Sequence, residues 1–114
     1  MATATRTPLP FVPGSVSGKA TPYADSLAGN RMGCAGAGPY SISDITVVAV
    51  SAAQHTMFPC GTKLEVCGQM GCITGIRKDS CPACGNGDVD LSRAGFRAVC
   101  GNVNNCVVRT RSLP

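Results

Sequence analysis

At 114 residues the chain has room for one domain and not two. Aromatics make up only 4% of it, with no Trp, two Tyr and three Phe, so its interior must be assembled from Val, Ile, Leu, Ala and Met and is thin. The formal charge of +4 is spread along the chain, with Arg77-Lys78 and Arg93/Arg97 as its nearest approach to a cluster; these are expected on a solvated surface and not in a nucleic-acid stripe, and no apolar run reaches the roughly 20 residues of a membrane span.

Residues 1–16 read as an extended arm, because Pro8, Pro10 and Pro13 exclude a helix and push the residue before each toward β or polyproline geometry. Within it, Leu9-Pro10-Phe11-Val12-Pro13-Gly14 is apolar and stiff. Met1 to Arg6 has no apolar run of the signal-peptide kind, so the chain is read as a mature form with Met1 an expression start. The folded domain is expected over residues 17–114.

Ser17 to Tyr23 is expected as the first strand, with Pro22 at its edge or end. A Gly-rich loop from Gly29 to Pro39 carries Cys34. Ile45-Thr46-Val47-Val48-Ala49-Val50 is the clearest strand, a β-branched run able to cross a buried barrel. A single helical turn is expected over Ala52 to His55, then a turn at Pro59-Cys60-Gly61-Thr62. Leu64, Val66 and Cys67 open another strand, which turns over Gly68 to Gly71 and returns along Cys72 to Ile76. Between Asp79 and Asp88 a Pro/Gly/Asn-rich loop carries Cys81-Pro82-Ala83-Cys84. Ser92 is a good N-cap for a short helix to about Val99, with Phe96 and Val99 on its apolar face, and Val103 to Arg109 makes the last strand. Short strands, frequent turns and one late helix describe a small, mainly β barrel with one or two short helices.

The eight cysteines (Cys34, Cys60, Cys67, Cys72, Cys81, Cys84, Cys100 and Cys106) admit two chemistries. Cys81-Pro82-Ala83-Cys84 alone could be half of a zinc site or a redox centre. A zinc ribbon needs a second such pair or a paired His, whereas the remaining spacings are irregular and His55 is the only His. Disulfides are therefore expected, no metal or cofactor is, and disulfide use implies an oxidising compartment and export. The pairing stays open among about 105 possibilities. Cys67 and Cys72, and Cys100 and Cys106, are close enough in sequence to staple hairpins. Each bridge would add about 2–4 kcal/mol to the thin core.

Other residues read more plainly. His55 lacks a nucleophile partner and is expected in a surface or capping role; Met32, Met57 and Met70 are expected as gap-fillers or loop residues. Tyr23 and Tyr40 could line a groove. Gly85-Asn86-Gly87 is a turn, since a phosphate loop wants Gly-x-x-x-x-Gly-Lys before a helix.

The order of pieces resembles a known group. Gly18-Lys19-Ala20-Thr21-Pro22-Tyr23, an apolar strand ending Ala49-Val50-Ser51, and Cys60-Gly61-Thr62-Lys63-Leu64-Glu65-Val66 resemble the double-psi β-barrel superfamily of expansins, barwins, loosenins and rare-lipoprotein-A-type proteins. The strongest block runs from Ile76-Arg77-Lys78-Asp79-Ser80-Cys81 to Asp88-Val89-Asp90-Leu91-Ser92-Arg93-Ala94-Gly95-Phe96. The resemblance spans Gly18 to Thr110 and implies a six-stranded, disulfide-stabilised double-psi barrel.

It also implies that Thr21, Asp79 and Asp90 sit together in a polysaccharide groove. There one carboxyl can protonate or hydrogen-bond a glycosidic oxygen while the other sets charge and orientation. The structural alternative is that Asp90 helps cap the following helix and Asp79 accepts backbone N–H bonds in its loop. Three departures count against wall binding: Cys81 replaces the aromatic many such grooves carry, there is no Trp, and no second, carbohydrate-binding domain is expected after residue 114. Only Asp90 suits the role of an acid, so catalysis is not expected, although a lytic or wall-loosening role through Asp90 stays open.

The whole chain is also similar to the small secreted papain-inhibitor type of filamentous soil bacteria. That resemblance implies a secreted, monomeric, non-catalytic protein whose partner is an extracellular papain-like cysteine protease. Leu9, Pro10, Phe11, Val12, Pro13 and Gly14 are then the candidate wedge, since a protease cleft binds extended chain and stiffness lowers the entropy lost on binding. The cystatin-type Gln-x-Val-x-Gly signature is absent. The alternatives are an arm that packs across its own barrel and a contact through the loops Gly33 to Tyr40 and Pro82 to Gly87. The competing functional expectation is an expansin- or loosenin-like protein that binds and loosens cell-wall polysaccharide; a barwin-like binder of sugar oligomers is the third.

Overall fold

A computed structural model describes residues 14–114. Six strands, β1 (Ser15–Pro22), β2 (Val47–Ser51), β3 (Lys63–Gly68), β4 (Gly71–Cys81), β5 (Val89–Leu91) and β6 (Cys106–Ser112), close into a barrel in the order β1-β5-β2-β4-β3-β6. A helix, α1 (Arg93–Cys100), plugs one side, and 3-10 turns lie at Asp25–Leu27 and Ala52–Gln54. Two pairings are parallel, β1 with β5 and β2 with β4; the other four are antiparallel. The candidate wedge residues Leu9, Pro10, Phe11, Val12 and Pro13 lie outside the described residues, and Gly14 is the residue from which the chain enters β1.

Alternation along each strand explains the interior. Val48 and Val50 of β2 point inward onto Leu64, Val66, Ile73, Val89, Leu91 and Val108, and Phe96 and Val99 of α1 close the same cluster. The intervening Val47 and Ala49 point outward, yet are buried beneath the β1–β2 connection by Tyr23, Met32 and Tyr40. Covered on both faces, β2 reads as an unbroken apolar run without alternation.

Boundaries moved for local reasons. β1 starts at Ser15, two residues before the expected Ser17, because Ser15 and Val16 pair with Arg111 and Thr110 of β6. β2 starts at Val47 and not at Ile45, since Asp44 accepts from both the backbone N–H (3.0 Å) and the hydroxyl (2.7 Å) of Thr46, bending the chain there. β4 continues past Ile76 to Cys81, so Asp79 stands in a strand and not in a loop; the extension is the half of β4 that pairs with β2. The last strand starts at Cys106, three residues after the expected Val103. β5, three residues long, was too short to show as a periodic segment.

α1 begins where Ser92 Oγ accepts from Gly95 N at 3.0 Å, the expected N-cap, and ends at Gly101 with φ 78°. All eight cysteines are used, as Cys34–Cys60, Cys67–Cys72, Cys81–Cys84 and Cys100–Cys106, which settles the competition with zinc in favour of disulfides. Among the described residues no helix is long and apolar enough to cross a membrane.

Two glycines mark a backbone crossing. A Cβ on Gly18 of β1 would lie 2.2 Å from the carbonyl carbon of Gly87, and one on Gly87 would lie 2.1 Å from the carbonyl oxygen of Ser17. The loop before β5 therefore passes β1 at main-chain contact, where only glycine fits. Gln54 pins that loop from beneath: its Oε1 accepts from Gly87 N at 2.7 Å and from the Ser51 hydroxyl, and its Nε2 donates to Asn86.

Candidate functional site

The barrel registers place the three residues singled out from the sequence in one row. Thr21 of β1 pairs with Asp90 of β5, Asp90 pairs with Ala49 of β2, and Ala49 pairs with Asp79 of β4. Residues paired across adjacent strands share a face, so all four side chains lie outside the barrel. The alignment depends on a slip. Val48 pairs with Arg77 but Ala49 with Asp79, so one residue, Lys78, is passed over and Asp79 is re-aimed to the outer face.

Arg77 makes the slip possible and corrects an expectation. Read from the sequence as part of a solvated basic surface, it is 1% exposed. Its Nε donates to the carbonyl of Asp79 (3.0 Å), Nη1 to that of Phe58 (3.4 Å), and Nη2 to Ser80 Oγ (2.7 Å) and His55 Nδ1 (3.1 Å). Arginine only donates, so His55 Nδ1 is the acceptor and the ring proton sits on Nε2. His55 is exposed, as expected of a surface residue, and its ring also buttresses Arg77.

The two carboxylates differ in what they touch. Asp79 is fully engaged: Oδ1 accepts from Gly33 N (2.8 Å) and Ser80 N (2.9 Å), and Oδ2 from the Tyr23 hydroxyl (2.7 Å). Tyr23 in turn stacks on Tyr40, with ring centroids 4.4 Å apart and planes 18° from parallel. Burial, the bond to Asp79 and that carboxylate's charge together push the Tyr23 phenol far above its ordinary range, so it stays a donor. Asp79 therefore locks the β1–β2 connection onto the barrel, with Cys34–Cys60 and the Lys78–Asp44 ion pair (3.0 Å) as further ties. Burial alone would raise the Asp44 carboxyl, but the Thr46 hydroxyl, the Thr46 N–H and Lys78 outweigh it and hold it low.

Asp90 is different. Its Oδ1 accepts a short bond from the Thr21 hydroxyl and lies 4.0 Å from Cys84 Sγ; among the described residues Oδ2 has no hydrogen-bond donor. It borders an open groove of about 370 Å³ whose other walls include Lys19, Thr21, Asp88 and the Cys81–Cys84 disulfide. Asp79 is not in that wall. The structure thus brings Thr21 and Asp90 together in the groove and leaves Asp79 in the same row but turned to structural work. The sequence-level alternative for Asp79, accepting backbone N–H bonds, describes it well; the capping alternative for Asp90 does not, since Ser92 takes that role. Sequence reasoning missed Tyr23 as the donor to Asp79, and Lys19 and Asp88 as neighbours of Asp90. Asp88 is held by Lys19 N (2.8 Å) and Gly85 N (3.1 Å), so its side chain reaches back across the expected Gly85-Asn86-Gly87 turn.

Burial raises the Asp90 carboxyl above its ordinary range; the Thr21 bond pulls down, and the negative charges of Asp79 and Asp88 push up again. A carboxyl with a folded pKa above its unfolded one binds protons more readily in the folded state. Stability therefore falls as pH rises from the ordinary carboxylate range through the raised value, and Asp90 is a cost at neutral pH. Asp90→Asn keeps an acceptor for Thr21 without the charge. The variant is expected to have a higher urea midpoint than the parent at neutral pH, with the gap closing on acidification below the ordinary carboxylate range. A gap independent of pH would show that Asp90 ionisation carries no folding cost.

Neither a comparison with protein-family profiles nor one with curated proteins finds a match. Solved structures do match. Apo expansin from Clavibacter michiganensis aligns with TM-score 0.69 at 27% identity, over 88% of this chain and 50% of the expansin. A mutant of that expansin in complex with cellohexaose aligns with the same TM-score at 24% identity and the same coverage. The chain thus spans about half the length of either expansin. The Streptomyces papain inhibitor aligns with TM-score 0.60 at 26% identity, over 88% of this chain and 96% of the inhibitor.

Proposed function

Since the chain is a double-psi β-barrel, the fold shared by the expansin and the papain inhibitor, we propose that it is a secreted, non-catalytic binding protein that inhibits papain-like cysteine proteases. The observation that carries this reading is the match to the Streptomyces papain inhibitor, whose own chain is aligned over 96% of its length, so that nearly all of that protein has a counterpart here. Residue chemistry supports it. Among the described residues every aromatic (Tyr23, Tyr40, Phe58 and Phe96) is buried, so none offers a flat platform for a sugar ring. Asp79, half-buried, is already engaged by three donors. Four disulfides suit a scaffold that must survive among proteases. In this reading Leu9 to Gly14 supply the stiff apolar segment for the protease cleft, attached directly to the barrel through β1.

A second reading, a polysaccharide-binding and wall-loosening protein, is favoured by one observation, the Thr21–Asp90 pair in an open groove. One experiment separates the two: papain titration with the pure protein beside a pull-down on insoluble cellulose, chitin and peptidoglycan. Inhibition is expected, together with at least a tenfold rise (about 1.4 kcal/mol) in inhibition constant on removal of residues 1–14. Unchanged inhibition by the shortened chain would move the contact to the loops 33–40 and 82–87. Papain cleavage that persists at micromolar protein removes the inhibitor reading. Retention on a polysaccharide, lost in Asp90→Asn, would establish the second.

A further inference from the structure

Three of the four disulfides close loops of six residues or fewer, but only one of them forms a wall of the groove. Cys81 is buried at the end of β4, while Cys84 is half-buried and reaches the groove. The Asp90 carboxylate lies within 4.8 Å of both sulfurs, and 4.0 Å from that of Cys84. A second carboxylate, Glu65, lies equally near the Cys67–Cys72 bridge, but Arg111 holds it in an ion pair at 2.8 Å. Among the described residues Asp90 has no such cation: its partner is the neutral Thr21 hydroxyl. The charged groups that face it are Asp79 from β4, Asp88 from the preceding loop and Lys19 from β1; β2 presents only Ala49.

We propose that Cys81–Cys84 is an exchange-active disulfide that reacts with dithiols, small or peptide-borne, entering the groove, and that Asp90 is its proton donor and acceptor. A thiolate of the incoming dithiol attacks Cys84 Sγ. The Cys81–Cys84 bond breaks, its electron pair leaves on Cys81, and the proton held by Asp90 passes to that sulfur. The second thiolate of the dithiol then attacks its own mixed-disulfide sulfur and releases Cys84 as a thiolate, which takes a proton from water, and Asp90 accepts a proton from solvent to return to its starting state. One protein disulfide becomes two thiols, one dithiol becomes a disulfide, and two electrons move. In an oxidising compartment the disulfide form is the resting one, so the net direction is oxidation of the dithiol. Burial and two negative neighbours, which raise the Asp90 carboxyl, favour the proton-loaded state the first step uses. The proposal does not depend on the protease reading, because the arm takes no part in it.

The test uses the intact chain, limiting dithiothreitol over a range of pH, an alkylating quench, and peptide mapping of the labelled cysteines. Cys81 and Cys84 are expected to be labelled together, at least about tenfold faster than any other pair. Another bridge opening first, or all four opening together, overturns the proposal. Asp90→Asn, which keeps the Thr21 acceptor, is expected to slow opening of Cys81–Cys84 about tenfold and to remove the Asp90 inflection from the pH–rate profile, with the other three bridges unaltered. An unchanged rate and profile would strip Asp90 of its role, while the labelling order in the unmodified chain tests the disulfide by itself.

Discussion

Arg77→Ala is expected to destabilise the barrel by about 3–4 kcal/mol, read as a fall in urea midpoint. The side chain is among the largest fully buried ones, so its removal leaves a void. It also leaves two main-chain carbonyls, Phe58 and Asp79, without the donor they now have. Among the described residues no carboxylate pairs with this guanidinium; its four bonds go to carbonyls, a hydroxyl and an imidazole. Arg77→Met separates the two causes. It refills most of the volume but supplies no donors, and is expected to recover less than half of the loss. A loss in Arg77→Ala below about 1 kcal/mol would show that the shell reorganises and that Arg77 does not hold the slip in β4. Because Arg77 Nε fixes the carbonyl of Asp79, the same substitution should loosen the Tyr23–Asp79 lock, seen as increased hydrogen exchange at Gly33 N.

Gly18→Ala is expected to cost about 3 kcal/mol or more, lowering the melting temperature by roughly 10–20 °C. The obstruction is not the far end of a side chain that can swing away. The new methyl would meet Gly87 and the nitrogen of Asp88, all main-chain atoms between 2.2 and 2.6 Å away. Separation of the two strands of chain would stretch the Ala20–Val89 pairing and the bond from Lys19 N to Asp88, and drag on the Gln54 anchors. Gly36→Ala is the control: its φ of +78° disfavours a side chain, but no atom lies within 4 Å, so it should lose only about 1 kcal/mol. Equal losses at the two positions would mean that the crossing is softer than its distances imply.

How much of this was legible from the residues differs by element. Ser92 announced its helix because an N-cap is a local arrangement of one side chain and one N–H. The bridges Cys67–Cys72 and Cys100–Cys106 were legible because short spacing limits the geometry, but only the first staples a hairpin; the second, against expectation, ties the last residue of α1 to the first of β6. Cys34–Cys60 was not, since it joins two loops 26 residues apart that meet only after the barrel closes. Thr21 and Asp90 were found through resemblance, and the parallel β1–β5 register brings them together from 69 residues apart. The mistake over Arg77 has a physical origin. Burial of a cation is ordinarily unfavourable, so pattern reading places it outside, and only the convergence of four acceptors from two segments, residues 55–58 and 79–80, permits the exception. Tyr23 as a partner of Asp79 left no mark in either neighbourhood, because that contact is made over 56 residues by tertiary packing.

The order β1-β5-β2-β4-β3-β6 also governs how the molecule is built. β1 is the first of the described strands, but both its partners, β5 and β6, are drawn from residues 89–112. A nascent polypeptide cannot seat its earliest strand until its latest ones exist, and that strand waits with unpaired amides and carbonyls. Loop-closure entropy across so long a span slows assembly into the range of milliseconds to seconds. Until then, the β3–β4 hairpin with its five-residue Cys67–Cys72 spacing is the one strand pair that forms from adjacent sequence, so it is the natural nucleus around which closure proceeds.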